Sequence, residues 1–470
     1  MTQFNKISTF CADSYPMDHV VCFEGIWSEN RHFTWRQFLE NCAKLRRVFT
    51  GNPAEKWLLH CKDRWYFLAA YIALLQCGKE VLLTASTAPL YIEELRSGGA
   101  EFACDQDAVK KTVDIKKILE DDYKNNPVTE TELRTCPPIC AERTRIHMFT
   151  SGTTGTPKDV VQRLTELETE NEFLYHLWRQ FLTGKKLIAT VSQHHNYGLV
   201  DTIQTPFAAG IPICRFSIEF PEEFEKYSDT SYFIVTVPAF LKRTVCSVER
   251  LPMKNPFILT AGGVLTRDVA EATESIFGVW PHEIYGSTEA NAIGYRLSKA
   301  SEAWTPVCNG SVSLADDGCL LVRSPLIVNP EGLNTGDLAE IFPDGSFILK
   351  GRANSIVKIE GKRISLPEVE KRLSLSGLIS DSCVIAISDR REYLAAVIVL
   401  NRDGHKKFDG YDVSVKNRFF HDFLLQYFEN VVIPKKWRYP AEIPVNQQGK
   451  RLDEKIRNLF TKKGTGVQSV

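Results

Sequence analysis

The sequence holds 470 residues, more than one hydrophobic core usually accommodates, so two or more domains are expected. A hydrophobic share of 43%, a charged share of 24% and a net charge of −1 describe an ordinary globular chain and exclude a polybasic one, so no nucleic-acid partner is expected. The 13 cysteines are odd in number and show no CxxC pairing, which excludes a disulfide framework or zinc site and points to reduced thiols in the cytoplasm.

The segment Met1–Phe10 has no basic run followed by an apolar one, so no secretory signal is expected there. Phe33 to Phe49 reads as an amphipathic helix with Phe38, Leu45 and Val48 on its apolar side. Trp57–Cys61 reads as a buried strand, residues 65–76 as a buried helix stopped at Gly78, and Glu80–Thr84 as a second strand. Trp65–Leu75 is the most apolar stretch, yet it is shorter than the roughly 20 residues that span a bilayer, so no membrane span is expected. Strand–helix–strand alternation predicts a parallel sheet covered by helices. Leu187–Ser192, Tyr232–Val237 and Phe257–Thr260 continue as strands, and Thr266–Phe277 as a helix. From about residue 311 the pattern turns to short β elements: Val312, Leu320–Arg323, Leu338–Phe342 and Ser346–Leu349, the last two joined by the turn Pro343-Asp344-Gly345. After Gly351-Arg352 a small α+β unit follows. It has helices over Leu366–Leu373 and Phe419–Phe428 and strands over Cys383–Ile387 and Ala395–Leu400. The expected organisation is therefore α/β: a large domain over 1–352 with helix-covered sheets and a β-rich part, then a small α+β domain over 353–470, with a hinge near 352–355.

The segment Phe149-Thr150-Ser151-Gly152-Thr153-Thr154-Gly155-Thr156-Pro157-Lys158 crowds hydroxyls, glycines and a lysine together. Glycines let backbone N–H groups approach an anion, hydroxyls add donors, and lysine adds a mobile charge. It is not a Walker loop, which needs Gly before the lysine and Ser or Thr after it; here Pro157 precedes and Asp159 follows. The segment resembles the phosphate-loop signature of the adenylate-forming superfamily, which includes acyl-CoA synthetases, luciferases and the adenylation domains of peptide synthetases. That family usually has Gly where this chain has Asp159.

Further segments match the family in its own order. Tyr285-Gly286-Ser287-Thr288-Glu289 resembles its second signature: Tyr285 would stack on adenine, Thr288 would bond the α-phosphate, and Glu289 would hold Mg²⁺, a hard ion that prefers oxygen. Ala261-Gly262-Gly263 resembles the glycine turn bordering adenine and the acyl substrate. Thr335-Gly336-Asp337 resembles the ribose-binding segment, where a carboxylate accepts two hydrogen bonds from a diol. Arg352 would contact ribose or phosphate. Asn354 takes the hinge position where the family usually has Asp, and asparagine tolerates unusual backbone angles. Lys358 and Gly361 resemble the lid loop that admits the thiol arm. Pro444-Val445-Asn446-Gln447-Gln448-Gly449-Lys450 resembles the C-terminal motif whose lysine, here Lys450, bridges the substrate carboxylate and the α-phosphate.

The resemblance implies a mobile C-terminal lid and an ATP- and Mg²⁺-dependent acid–thiol ligase. A carboxylic acid, fatty or aromatic, would become acyl-AMP with loss of pyrophosphate and then pass to coenzyme A or an acyl carrier protein. Ser192 to Gly198 resembles the family's His-x-x-Gly segment, which makes His195 a candidate acyl-pocket residue. No acidic residue sits beside His195, and Asp201 is a poor substitute, so an amino acid substrate is not expected. An alternative from another class is a nucleotide-binding homologue without turnover, acting as a sensor or interaction protein.

Overall fold

The computed structural model describes residues 4–29, 31–84, 89–107, 110–121, 127–150, 158–251, 253–353, 356–359, 362–388, 392–445 and 451–461. The chain divides by its contacts into two units. One comprises Met1–Val312, Val322–Leu333 and Phe342–Ser346, the other Ser313–Leu321, Asn334–Ile341 and Phe347–Val470.

The first unit is α/β, and its local signals explain its helices. Thr34 and Gln37 form a capping box that starts helix Trp35–Gly51. Asp63 accepts from the Trp65 amide and starts helix Arg64–Gln76, in which every residue is buried. That helix is apolar all round because it crosses between two strands of a covered sheet. The sheet has six strands in the order Val113–Asp114, Glu101–Cys104, Lys56–His60, Glu80–Leu83, Arg145–Thr150, Lys158–Arg163. All its pairings are parallel except the last, which is an antiparallel hairpin.

A second sheet has nine strands. Its parallel part runs His282–Ser287, Phe257–Thr260, Tyr232–Thr236, Lys186–Ala189, Ile213–Cys214, Val20–Phe23. Asn291–Arg296 and Thr305–Pro306 extend one side in antiparallel fashion, and His32–Thr34 the other. Phe257–Thr260 and Tyr232–Thr236 are buried at every position, as expected of central parallel strands. In such sheets ligands bind beyond the carboxyl ends of the strands. The Ser192–His195 loop, Val237, Ala261-Gly262-Gly263 and Thr288-Glu289 all lie beyond carboxyl ends of these parallel strands.

A partly buried ion cluster fastens the two sheets within this unit. Arg215 Nε donates to Asp63 Oδ2 at 2.6 Å, and its Nη1 donates to Glu24 Oε2 at 2.8 Å. Removing one partner leaves a desolvated charge behind. Arg215→Leu is therefore expected to cost about 3–5 kcal/mol in denaturant unfolding. A double variant with Asp63→Leu should recover part of that loss.

A four-stranded sheet, Ser311–Leu314, Cys319–Arg323, Leu333–Ile341 and Phe347–Arg352, has most of its residues in the second unit. The second unit also has the hairpin Ile356–Ile359/Lys362–Ser365 and a three-stranded sheet of Ile379–Ser388, Glu392–Leu400 and Lys436–Arg438. Helices Leu366–Ser374 and Val413–Leu424 bury Val369, Leu373, Phe420 and Leu424 against that sheet. The thirteen cysteines are all free. Among the described residues no helix is long and apolar enough to cross a membrane.

Candidate active site

Strands Arg145–Thr150 and Lys158–Arg163 pair with Phe149 opposite Asp159 and Thr150 opposite Lys158. The segment joining them holds Ser151, Gly152, Thr153, Thr154 and Gly155, which lie outside the described residues, as does the Thr150 side chain. Lys158 is described. Its Nζ lies 3.2 Å from Glu289 Oε1. Four residues further along the strand, the Gln162 side-chain amide donates to the Thr288 carbonyl. Strand Lys158–Arg163 is thus fastened at two points to the Thr288-Glu289 turn.

Glycine is dictated at several points of this rim. A Cβ on Gly286 would fall 2.3 Å from the Asn291 carbonyl oxygen, and one on Gly198 would fall 1.8 Å from the Ser192 carbonyl oxygen. Gly262 has φ +81°, a backbone that disfavours side chains, and both Gly262 and Gly263 are exposed beyond Thr260. Tyr285 packs against Trp304 at 5.7 Å between ring centroids.

The two adjacent histidines have different fates. His194 is structural: it stacks on His60 at 4.2 Å, its Nδ1 lies 2.8 Å from Ser192 Oγ, and its Nε2 accepts from the Cys61 amide at 3.1 Å. His195 precedes helix Asn196–Leu199, where its carbonyl accepts from the Leu199 amide at 2.7 Å and its ring does not cap the helix. Burial holds its pKa down to about 4, so the ring is neutral at physiological pH.

Asp159, the departure from the family pattern, has a local explanation. His147 Nδ1 lies 2.9 Å from Asp159 Oδ2, and His147 Nε2 lies 3.2 Å from Glu80 Oε2. The carboxylate serves a buried histidine on the neighbouring strand. Asp159→Gly is expected to lower stability by about 1–2 kcal/mol, from the lost histidine bond and the freer backbone. Thermal melts check this.

In the second unit, Asp337 and Arg352 face each other across antiparallel strands. Arg352 Nη1 lies 3.3 Å from Asp337 Oδ1 and donates to the Thr335 carbonyl at 3.1 Å. Gly336 between them has φ +71°. Lys358 lies on strand Ile356–Ile359, opposite Arg363, with its side chain outside the described set. Asn354, Gly361 and Lys450 also lie outside the described residues. Beside Lys450, Val445 bridges to Arg451, and Arg451 is anchored by Glu370 at 3.0 Å and Asp381 at 3.1 Å.

A model of the AMP-binding enzyme family matches residues 10–325. The chain belongs to the AMP-binding enzyme family. Known proteins resemble it at modest identity. The malonate–CoA ligase of Arabidopsis thaliana is 24% identical over 312 residues, 55% of this chain and 51% of that ligase. The mitochondrial malonate–CoA ligase ACSF3 of Homo sapiens is 25% identical over 381 residues, 66% of this chain and 64% of that protein. The chain thus spans about half to two thirds of the length of these relatives. ATP-bound MatB from Rhodopseudomonas palustris, 15% identical, superposes with a TM-score of 0.76 over 96% of this chain and 97% of that one, which shows a shared fold.

In this AMP-binding enzyme a hub of buried amides went unread in the sequence. Asn291 takes a left-handed backbone, φ 58°. Its Nδ2 donates to Gln162 Oε1 at 3.1 Å and to the Leu326 carbonyl at 3.0 Å, and its Oδ1 accepts from Asn196 Nδ2 at 3.0 Å. It ties the Thr288-Glu289 turn to strand Lys158–Arg163 and to the helix after His195. The available signal was a polar residue inside an apolar run: Gln162 after Val160-Val161, and Asn291 before Ala292-Ile293.

Glu289 also fits a metal-binding role. Among the described residues no group of three or more His, Cys, Asp or Glu converges. A lone carboxylate suits magnesium, which keeps waters and phosphate oxygens as its other ligands.

Proposed function

We propose that this chain joins a carboxylic acid to ATP, releases pyrophosphate, and passes the acyl group from acyl-AMP to a thiol, either coenzyme A or carrier-protein phosphopantetheine. The observation that carries the reading is the contact of Lys158 with Glu289 at 3.2 Å, where strand Lys158–Arg163 meets the turn that follows His282–Ser287. A cation beside a carboxylate able to hold a divalent metal suits a polyphosphate.

In this reading Thr150, Ser151, Gly152, Thr153, Thr154, Gly155 and Lys158 surround the leaving phosphates. Tyr285 and Gly286 border adenine, and Thr288 donates to the α-phosphate. Asp337 accepts from the ribose hydroxyls and Arg352 supports it. Glu289 would hold Mg²⁺, which when bound offsets phosphate charge. The acid approaches past Gly262 and His195, whose neutral ring does not compete for the carboxylate. The protein needs no nucleophile of its own: it aligns two anions and neutralises their repulsion. Lys450 then withdraws by rotation about Asn354, and Lys358 and Gly361 come in to admit the thiol. Free cysteines throughout fit a reducing cytoplasm.

The test is acid-dependent exchange of labelled pyrophosphate into ATP, across fatty, aromatic, dicarboxylic and amino acids. Exchange with a subset supports the reading. Nucleotide binding with no exchange for any acid defeats it in favour of a non-catalytic nucleotide-binding protein. Adding coenzyme A or a pantetheinylated carrier then identifies the acceptor.

A further inference from the structure

A cavity of about 330 Å³ lies at the amino ends of three parallel strands, Lys186–Ala189, Ile213–Cys214 and Val20–Phe23. The candidate active site lies beyond the carboxyl ends of the same sheet. Strand Lys186–Ala189 covers roughly 13 Å between the two ends, so the cavity is a separate place in the fold. Its walls include Trp27, Tyr175, Leu182, Lys185, Lys186 and Ile211. The two rings are held from behind: Phe23 meets Trp27 edge-on at 5.6 Å, and Tyr175 stacks on Phe4 at 5.0 Å. Ligand pockets run from roughly 300 to 1,000 Å³, so this one suits a small ring-bearing molecule rather than a nucleotide.

The charge inside is one-sided. No acidic residue lines the cavity, whereas two lysines do. Lys185 Nζ donates to Ser231 Oγ at 2.6 Å and to the Asn255 carbonyl, both uncharged acceptors. Lys186 Nζ donates to the Gly184 carbonyl at 2.8 Å and lies 4.5 Å from the centre of the Trp27 ring. Neither lysine forms an ion pair among the described residues. Asp229 acts on Lys186 only from beyond ion-pair distance, and its oxygens accept from the Tyr232 hydroxyl at 2.6 Å and the Ser28 amide at 2.7 Å. Helix Leu164–Leu182 ends at the cavity, but a helix carboxyl end offers only about half a negative charge against two full positive ones. His19 on the lining is pushed toward its neutral form by burial. Burial also lowers the pKa of both lysines, as expected of ammonium groups that have lost water without gaining a carboxylate. A desolvated cation without a counter-ion is costly, and an anion that enters the cavity offsets that cost. The N–H groups of Lys186 not used on Gly184 can donate to it.

We propose that this cavity is a second ligand site, which binds a small carboxylic acid with a flat ring, its carboxylate on Lys186 and its ring against the aromatic and apolar wall. The site stands whether or not the chain adenylates an acid, because it shares no residue with the candidate active site.

The experiment is equilibrium dialysis of the whole chain against benzoate and indole-3-acetate, with benzamide and indole-3-acetamide as uncharged matches and inorganic phosphate as a bare anion. Wild type is compared with Lys186→Met, Lys186→Arg and Trp27→Ala, and a thermal melt accompanies each. At least one acid should bind more tightly than its amide and than phosphate. Lys186→Met should weaken that acid by about ten-fold or more, the scale of a hydrogen bond to a charged group, and bring it level with its amide. Lys186→Arg should keep most of the affinity, and Trp27→Ala should weaken acid and amide alike. Without ligand, Lys186→Met should melt no lower than wild type, since it deletes an uncompensated charge and keeps the packing of the stem. Acid binding that Lys186→Met leaves unaltered belongs to another site and overturns the proposal. Phosphate binding as tight as that of the acids, or no binding of either acid, overturns it as well. Pyrophosphate exchange with any acid that wild type activates should be unchanged in Lys186→Met. A loss of exchange in step with the loss of acid binding would put the acid in the active site instead, and would overturn the proposal while leaving adenylation standing.

Discussion

Lys450→Ala is expected to lower acyl-AMP formation by about 10²–10³-fold or more, the usual consequence of removing one preorganised charge from a site of developing anionic charge. Acid and α-phosphate are both negative, and attack brings their oxygens together. A lysine cation between them acts most strongly at the transition state, so its loss falls on the rate of chemistry more than on ATP binding. The second half-reaction carries no such crowding, since pyrophosphate has left. Transfer from preformed acyl-AMP to the thiol should therefore change by less than about ten-fold. Single-turnover assays of each half-reaction check this, and equal losses in both would remove Lys450 from the adenylation step. Arg451 beside it is held by Glu370, Asp381 and the Ser382 carbonyl at 2.6 Å. Arg451→Ala is a useful contrast, because it should lower thermal stability as well as rate.

The second large effect is expected for Gly286→Ala. The new methyl would meet the Asn291 carbonyl oxygen at 2.3 Å and Ala292 Cα at 3.1 Å, both backbone atoms that cannot rotate away. The hairpin His282–Ser287/Asn291–Arg296 must spread, and overpacking of this kind costs about 1–3 kcal/mol. The displaced turn carries Thr288, held by Gln162, and Glu289, held by Lys158. Exchange activity should therefore fall by at least about ten-fold, beyond what the stability loss explains at low temperature. A melt combined with a rate measured well below the midpoint separates the two effects. Full activity in a folded Gly286→Ala protein would show that the turn need not hold its position.

Locally encoded features were the ones legible in the sequence. The buried helix was expected over 65–76 and runs Arg64–Gln76, because Asp63 caps it and Gly78, at φ +68°, ends it. Strands Tyr232–Thr236 and Phe257–Thr260 stand where unbroken apolar runs placed them. Elsewhere polar composition hid the pattern. Leu333–Ile341 starts well before the expected Leu338, because Asn334, Thr335 and Asp337 carry no apolar alternation and their side chains bond locally instead. Helix Val413–Leu424 begins earlier than Phe419 because Asp412 caps it by accepting from the Ser414 amide at 3.0 Å. Ile213–Cys214 and Val20–Phe23 were missed, being short strands whose partners are distant in sequence. The second unit takes in Ser313–Leu321 and Asn334–Ile341, segments that the sequence had grouped with the large domain. At the candidate site, motif residues announced themselves by composition. Gln162, Asn196 and Asn291 did not, because each matters only through a side chain brought from far along the chain.

The Asn291 hub bears on how such a protein can drift. Gln162 and Asn291 are 3% and 1% exposed, and Asn291 joins Gln162 to Asn196 through side-chain hydrogen bonds. Changing any single one strands its neighbours' amide groups at about 1–3 kcal/mol each. A lineage descending from this chain is therefore constrained to keep all three or to exchange them together. Any substitute set must still join the loop's exit strand to the turn bearing Thr288.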